Sequence, residues 1–165
     1  MHTWSSRAWP RLCRGLACAA VARVPRCEFP DGSFHVGARG VARMPIYLDG
    51  EDRRAFLRLL GLMTARFGWT FHAFCLMTNH YHLVVDSTRE SLSRGLHTVN
   101  GLYAQGFNGK YERWGHVFGD RFWSRSIQEE DLERTCFYVM ENPVRAGLCG
   151  HARDWPWSAC RYELD

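Results

Sequence analysis

The chain has 165 residues, of which 46% are hydrophobic and 14% aromatic, a composition that argues against disorder and suits one globular domain. Its net charge of +4 permits a polyanionic partner without requiring one. The seven cysteines are scattered and include no C-x-x-C pair, which excludes a disulfide framework and a zinc knuckle. No apolar run reaches the roughly 20 residues of a membrane span. We therefore predict a cytoplasmic protein that has no membrane partner.

The N-terminal segment differs from the rest of the chain. Residues 1–26 mix arginines with small apolar residues without a regular period, so we predict a poorly defined extension there. Within it, the apolar run at 16–22 weakly resembles a signal peptide, which we regard as the lesser interpretation. A single domain is predicted over residues 27–165. It opens with a turn signal at 27–32, and a first strand is predicted over residues 33–39.

Two amphipathic helices are predicted in the first two thirds of the chain. The first starts at the N-cap Asp49 and ends at Gly68. The second starts after Thr88 or Ser91 and ends at residues 108–109. Their buried stripes are predicted to be Phe56, Leu59, Leu60, Met63 and Phe67 in the first helix and Leu92, Leu96, Val99, Tyr103 and Phe107 in the second.

Between these helices lies a predicted hairpin with two histidines. Residues 69–76 form one strand, 77–79 a tight turn, and 80–86 the returning strand. Successive side chains on a strand point to opposite faces, so His80 and His82 share one face. Two neighbouring imidazoles suit a divalent metal ion, although a bare His-x-His pair is weak evidence by itself.

A fourth strand at residues 122–128 completes the order strand, helix, strand, strand, helix, strand. This order predicts an α+β protein with the ferredoxin-like (RRM-like) sandwich, a four-stranded antiparallel sheet with two helices on one face. The opposite face of the sheet is expected to be free. The histidine pair would then look out from that free face.

A third helix is predicted over residues 130–142, where we expect Pro143 to stop it. Tyr138 falls on the polar side of this helix. Asn142 lies one turn later on the same side, so the phenol and the carboxamide can point at one place. Taken alone, Tyr138 is most simply an amphipathic surface residue.

Five segments, taken together, carry a family resemblance. They read FHVGARG at 34–40, LMTNHYHL at 76–83, GHVF at 115–118, YVMENPVRAGL at 138–148 and DWPWS at 154–158. In this order they resemble the REP-associated tyrosine transposases, which belong to the single-tyrosine transposases with an HUH (histidine, bulky hydrophobe, histidine) motif. Departures are Thr78, where relatives usually have proline, and Gly119, where many have glutamine.

This resemblance implies an enzyme that nicks and rejoins single-stranded DNA beside imperfect palindromes, on a ferredoxin-like fold with a C-terminal catalytic helix. It implies that His80 and His82 bind Mg²⁺ or Mn²⁺, with Asn142 as a third, polar ligand. Tyr138 would be the nucleophile and would form a 5′-phosphotyrosine. The implied partner is single-stranded hairpin DNA, bound by a monomer or a homodimer, with the site completed by the same chain or by its partner.

A basic segment threaded with aromatic rings, residues 110–125, is the predicted DNA surface, since cations meet phosphates and rings stack on unpaired bases. The predicted DNA-binding residues are Arg39, Arg43, Lys110, Arg113, Trp114, His116, Arg121 and Arg125, with Arg145 as a similar candidate. For Phe118, Phe122 and Trp123, a place in the core is an equally good interpretation.

Three other interpretations of the same residues stay open at this stage. A domesticated relative would hold hairpin DNA or RNA without cutting it. A metal-dependent hydrolase would use His80 and His82 with water as the nucleophile, and would leave the pairing of Tyr138 with Asn142 unexplained. A purely structural protein would require all five matching segments to be coincidental.

Overall fold

One antiparallel sheet organises the computed structural model, which describes residues 31–163. Its strands are β1 (Gly32–Arg39), β2 (Thr70–Leu76), β3 (His80–Ser87), β4 (Trp123–Ser126) and β5 (Ser158–Cys160), in the order β4-β1-β3-β2-β5. The first four strands and their order along the chain confirm the predicted α+β sandwich. The edge strand β5 was not predicted, because three residues are too few for a recognisable alternation. The predicted extension over residues 1–26 lies outside the described residues.

Two long helices, α1 (Gly50–Phe67) and α2 (Arg89–Lys110), pack on one face of the sheet. The predicted ends of α1 are confirmed: Asp49 forms a capping box with Asp52, and Gly68 adopts the left-handed conformation with φ 67°. The cap of α2 is Thr88, whose side chain accepts a hydrogen bond from the backbone of Ser91. The helix continues to Lys110, slightly beyond the predicted end.

The main core lies between this helix pair and the sheet. All five residues of the predicted stripe of α2 are buried, as are Phe56, Leu60 and Met63 of α1. The inward-facing residues of the two central strands meet them: Phe34, Val36 and Ala38 from β1 and Tyr81, Leu83 and Val85 from β3. Phe122 is also buried in this core and Phe118 packs against it, so the core interpretation holds for these two rings.

The second face of the sheet is not free as expected. Helix α3 (Leu132–Met140) packs across β2, β3 and β5, and buries Cys136 and Val139 in a smaller core with Ala73, Cys75 and Val84. The apolar stripe of α3 needs a surface to cover it, and this half of the sheet supplies it. His80 and His82, on this face, are half-buried and do not look out from an open surface.

The expectation of one helix over residues 130–142, stopped by Pro143, is wrong in its details. A turn at Glu129–Asp131 precedes α3, and a separate short helix α4 (Asn142–Arg145) follows it. Pro143 lies in the first turn of α4, where a missing N–H costs no helical hydrogen bond. The proline therefore begins the next helix here.

The C-terminal segment closes the edge of the sheet. The indole nitrogen of Trp155 donates to the carbonyl of Leu76 at 3.1 Å, and the guanidinium of Arg53 lies 5.4 Å from the ring centroid of Trp157. These contacts bind the end of the domain to α1 and β2. Among the described helices, none is long and apolar enough to cross a membrane.

Candidate active site on the second face of the sheet

The two histidines of β3 lie where the prediction placed them, on one face of the sheet. A turn closed by a bond from the Met77 amide to the His80 carbonyl, at 2.9 Å, leads directly into β3. The ring centroids of His80 and His82 are 5.1 Å apart, with the planes nearly perpendicular. Both rings are half-buried.

Each of these histidines has a hydrogen-bond partner on its Nδ1 atom. His80 Nδ1 lies 2.7 Å from Oδ1 of Asn79, and the amide nitrogen of Asn79 donates to the carbonyl of Arg43 at 2.9 Å. His82 Nδ1 lies 3.1 Å from Nε2 of His35. The Nε2 atoms of His80 and His82 are therefore the ones that a metal ion would take.

The surroundings keep both histidines neutral. Burial lowers the pKa of His80 to about 4, with a further contribution from the charge of Arg39. Burial also lowers the pKa of His82 to about 3, aided by His35, His80 and Arg39. A neutral imidazole keeps a lone pair for a metal ion, whereas a charged one does not.

His35 is a site residue that the sequence analysis quoted in a matching segment but did not assign. It lies on β1, where the register pairs it with Val84 and puts it on the same face as the histidine pair. Its ring centroid is 5.2 Å from that of His82 and 6.0 Å from that of Tyr138. Burial, then the charge of Arg125, lowers its pKa to about 4. Strand alternation places His35 on one side of β1, but only the register shows which histidine it meets.

Trp123 forms the wall of the site on the β4 side. Its ring is half-buried on this face of the sheet and does not lie in the main core. Its ring centroid lies 4.7 Å from that of His35 and 5.7 Å from that of His82. Gly37, its partner in the register, makes room for it, because a Cβ there would lie 2.7 Å from the indole ring. The glycine lets the ring lie close against the sheet.

Tyr138 reaches the same site from α3. Its side chain is 38% exposed, in keeping with the predicted polar face of the helix. Besides its contact with His35, it lies under the guanidinium of Arg145, whose central carbon is 4.7 Å from the ring centroid. Tyr138 thus lies next to His35, the neighbour of His82, within one chain. The role of Tyr138 as nucleophile stays a prediction.

Asn142 caps the end of α3 with its side chain. The amide nitrogen donates to the carbonyls of Tyr138 and Val139, at 2.9 and 3.2 Å. Only the nitrogen can donate to a carbonyl, so the orientation of the amide is fixed. The carbonyl oxygen remains the side-chain atom able to serve as a metal ligand. Within residues 31–163, no three or more His, Cys, Asp or Glu side chains converge as a metal site.

Comparison with known proteins decides the family. The model of the family described as "Transposase IS200 like" matches residues 32–142, more than half of the chain.

The chain belongs to the IS200-like transposase family.

The resemblance drawn from the five segments is thereby confirmed, and the fold agrees with it. A REP-associated tyrosine transposase bound to a REP hairpin superimposes with a TM-score of 0.65 at 16% identity, covering 79% of this chain and 77% of that one. A putative transposase from Deinococcus radiodurans R1 gives a TM-score of 0.47 at 14% identity, over 67% of this chain and 90% of that one. Among curated proteins, none matches significantly.

Most residues predicted to bind DNA in this transposase are exposed. They are Arg39, Arg43, Lys110, Trp114, His116, Arg121 and Arg125, and Trp114 is 97% exposed. An indole ring so fully in water is available for stacking on a base. Whether these residues touch DNA stays a prediction.

Lys110 and Arg113 have other partners. The ammonium of Lys110 lies 2.7 Å from a carboxylate oxygen of Asp49 and 2.8 Å from one of Asp52, so it connects the start of α1 with the end of α2. Arg113 is half-buried, with its guanidinium 5.5 Å from the ring centroid of Phe107. The prediction that both residues bind DNA is untested, and these contacts describe a structural role for them.

A cavity of about 210 Å³ opens beside His80. The β2–β3 turn, the loop after β1 and the segment after α4 form its walls, with Met77, Asn79 and Leu148 among the lining residues. Arg43, also at the wall, holds a left-handed backbone with φ 60°, and its carbonyl is bonded to Asn79. The cavity thus extends from the exposed Arg43 to His80.

Proposed function

We propose that this transposase nicks and rejoins single-stranded DNA beside hairpin repeats, through a 5′-phosphotyrosine on Tyr138. The observation that carries the proposal is the contact of Tyr138 with His35, whose ring is hydrogen-bonded to His82, within one chain. The ring centroids are 6.0 Å apart for Tyr138 and His35 and 5.2 Å apart for His35 and His82. Those of His82 and His80 are 5.1 Å apart. Family membership supports transposition as the general activity. The similar fold of a hairpin-bound transposase supports hairpin DNA as the partner.

Two neighbouring imidazoles that burial keeps neutral support a divalent metal ion as the cofactor. His80 and His82 would hold it through their Nε2 atoms, and Asn142 through its carbonyl oxygen. Bound there, Mg²⁺ or Mn²⁺ would polarise the phosphodiester and offset its negative charge. Imidazole nitrogen suits Mn²⁺ better than Mg²⁺, which prefers oxygen ligands, so we expect Mn²⁺ to support the higher rate.

The covalent step takes place on the Tyr138 oxygen. Its phenolic oxygen attacks the phosphorus and loses its proton, while the bond from phosphorus to the 3′ oxygen breaks. The 3′ oxygen takes up a proton and leaves as a hydroxyl, and the 5′ phosphate stays on the tyrosine. Attack by a 3′ hydroxyl on this phosphotyrosine reverses the step and rejoins DNA. Because the number of phosphodiester bonds is conserved, no further energy source is needed.

The exposed cations would guide the strand to this site. Arg39, at the end of β1, is paired in register with His80, and Arg125 on β4 is paired with His35. Both flank the histidines on the same face, where phosphates of a single strand would run. Trp114 lies in the loop after α2 and would stack on an unpaired base.

The proposal is tested with single-stranded hairpin oligonucleotides drawn from repeats beside the gene of this protein. The protein is incubated with a labelled oligonucleotide and Mn²⁺ or Mg²⁺, and the products are separated under denaturing conditions. We expect a protease-sensitive adduct that chelator removes. Tyr138→Phe should abolish the adduct and keep hairpin affinity within about threefold, because the ring and its packing are retained.

Tyr162→Phe is the matched control, since Tyr162 packs near α3 against the rings of Phe137 and His72 rather than against those of the candidate site. It should form the adduct as the unaltered protein does. An adduct that persists in Tyr138→Phe would overturn the assignment. Cleavage without an adduct would indicate a nuclease that uses water.

The second candidate function is a hairpin-binding protein that does not cut. It is favoured by the side chain of Asn142, whose two bonds to the end of α3 give it a structural task independent of metal. Tight binding of a hairpin that stays intact with either metal ion would select this function.

A further inference from the structure

His35 has no role in the chemistry proposed above, yet its ring contacts three other rings of the site. It contacts His82 through a hydrogen bond and packs edge-on against Trp123 at 4.7 Å. With Tyr138 on a third side, its ring has little freedom to turn. A ring fixed in this way can define how a neighbouring imidazole is held.

The bond between the two imidazoles constrains where their protons lie. His35 Nε2 and His82 Nδ1 are 3.1 Å apart, so one nitrogen carries the proton and the other accepts it. If His82 donates from Nδ1, its Nε2 lone pair is free for a metal ion. If His35 donates, the proton of neutral His82 sits on Nε2, which then cannot bind a metal. Only the first arrangement allows His82 to bind a metal ion through Nε2.

His80 has a similar hydrogen bond at its Nδ1 atom, and there the roles of donor and acceptor are unambiguous. The Asn79 amide nitrogen donates to the Arg43 carbonyl, so the oxygen of Asn79 faces His80. An amide oxygen only accepts, and His80 must therefore carry its proton on Nδ1. Its Nε2 atom is left without a proton. The acceptor for His80 is Asn79, and the corresponding position at His82 is filled by His35.

We propose that His35 is a positioning residue that accepts the Nδ1 proton of His82 and so holds the Nε2 atom of His82 ready for the metal ion. This inference rests on the proposed function, because it takes His80 and His82 as the metal ligands. It adds a residue outside the HUH motif, on a different strand, to the machinery of the site. Partners of this kind typically change metal affinity by about ten- to a hundredfold.

The first measurement uses metal-free protein labelled with ¹⁵N-histidine. Long-range ¹H–¹⁵N correlations report which ring nitrogen carries the proton. We expect the Nδ1–H form for both His80 and His82. An Nε2–H form of His82 would overturn the proposal whether or not the protein cuts DNA.

The second measurement is the affinity for Mn²⁺ by calorimetry. His35→Ala should weaken binding about ten- to a hundredfold. His35→Gln places an amide oxygen near the position of Nε2 and should restore binding to within about threefold. His97→Ala, an exposed histidine on α2, is the control and should bind as the unaltered protein does. Thermal unfolding without metal shows that each variant is folded.

The outcomes separate the two proposals. Unaltered affinity in folded His35→Ala would overturn the role of His35 while leaving the metal site intact. Equal losses in His35→Ala and His35→Gln would also overturn it, since an acceptor alone should suffice. If the unaltered protein binds no Mn²⁺, the proposed metal site fails, and the tautomer of His82 still decides the structural half of the inference.

Discussion

The guanidinium of Arg145 lies over the ring of Tyr138, 4.7 Å from its centroid. The two residues are seven positions apart, Tyr138 on α3 and Arg145 on α4. Glu141 holds the arginine from the other side through an ion pair at 2.6 Å. A positive charge thus lies over the ring whose hydroxyl would carry the phosphate.

We predict that Arg145→Ala lowers the rate of adduct formation by about ten- to a hundredfold, because arginine stabilises phosphate charge as it develops. Hairpin affinity should change less than the rate. The rate of Arg145→Lys should lie between those of Arg145→Ala and the unaltered protein, since lysine keeps the charge but lacks the planar guanidinium. Glu141→Gln, which removes only the ion-pair partner, is the control. Single-turnover cleavage measures the effect, and an unaltered rate in Arg145→Ala would contradict it.

The stability of the protein should fall as the pH drops from 6.5 towards 4. The pKa values of His35 and His80 are lowered to about 4 and that of His82 to about 3, whereas unfolded histidine titrates near 6.5. Between these values the unfolded chain binds more protons than the folded protein. The contribution of the three histidines to the free energy of unfolding is therefore fully present above pH 6.5 and is lost progressively as the pH falls towards their folded pKa values.

Denaturant unfolding at pH 7.5, 6.0 and 5.0 measures this dependence. Replacing any of the three histidines by glutamine should reduce the number of protons taken up on unfolding by about one at pH 5. The same free energy of unfolding at pH 7.5 and pH 5.0 would show that these rings are not buried in the neutral form.

Gly37→Ala should destabilise the protein by about 1–3 kcal/mol through overpacking. The added Cβ would lie 2.6 Å from the carbonyl of Tyr81 and 2.7 Å from the ring of Trp123. In a Trp123→Phe background the cost should be smaller, because one of the two clashes is relieved. Chemical denaturation of the four proteins gives this coupling.

Gly101→Ala is the matched control for this change. A Cβ at Gly101, on α2, meets no atom within 4 Å. Alanine favours a helix interior over glycine, so stability should rise by about 0.5–1 kcal/mol. The two glycine replacements should therefore have opposite signs, and a neutral Gly37→Ala would refute the packing described for Trp123.

Lys110 and Arg121 should respond differently in salt titrations of hairpin binding. Arg121 is exposed, and Arg121→Ala should lower the slope of log affinity against log salt by about 0.7 to 1, the loss of one phosphate contact. Lys110→Met should leave the slope nearly unchanged and lower the unfolding temperature, since Asp52 is only 4% exposed and would lose its cation. Equal slope changes would make Lys110 the DNA contact that the sequence predicted.

Local periodicity was sufficient for much of the fold. The N-cap Asp49, the left-handed Gly68 and the buried stripe of α2 follow from residue types and spacing within one helix. The shared face of His80 and His82 follows in the same way from strand alternation. Such features depend on near neighbours in the chain, and the residues concerned carry the information themselves.

Other predictions failed or stayed incomplete because they depend on distant contacts. The apolar stripe of α3 predicts that the helix is covered, but not which surface covers it. The prediction of a free second sheet face was wrong for that reason. Pro143 is compatible with stopping one helix or starting another, and the packing of the chain after Glu141 decides between them.

By itself, the sequence determined the α+β order of elements, the histidine pair on one face, the polar position of Tyr138 and the resemblance to a transposase family that the family match confirms. Only the tertiary structure brought His35 to His82, Arg145 to Tyr138 and Lys110 to the carboxylates of α1. The physical reason is that periodicity reports the environment of a residue along its own element. Partners across strands and helices depend on register and packing between segments far apart in the chain.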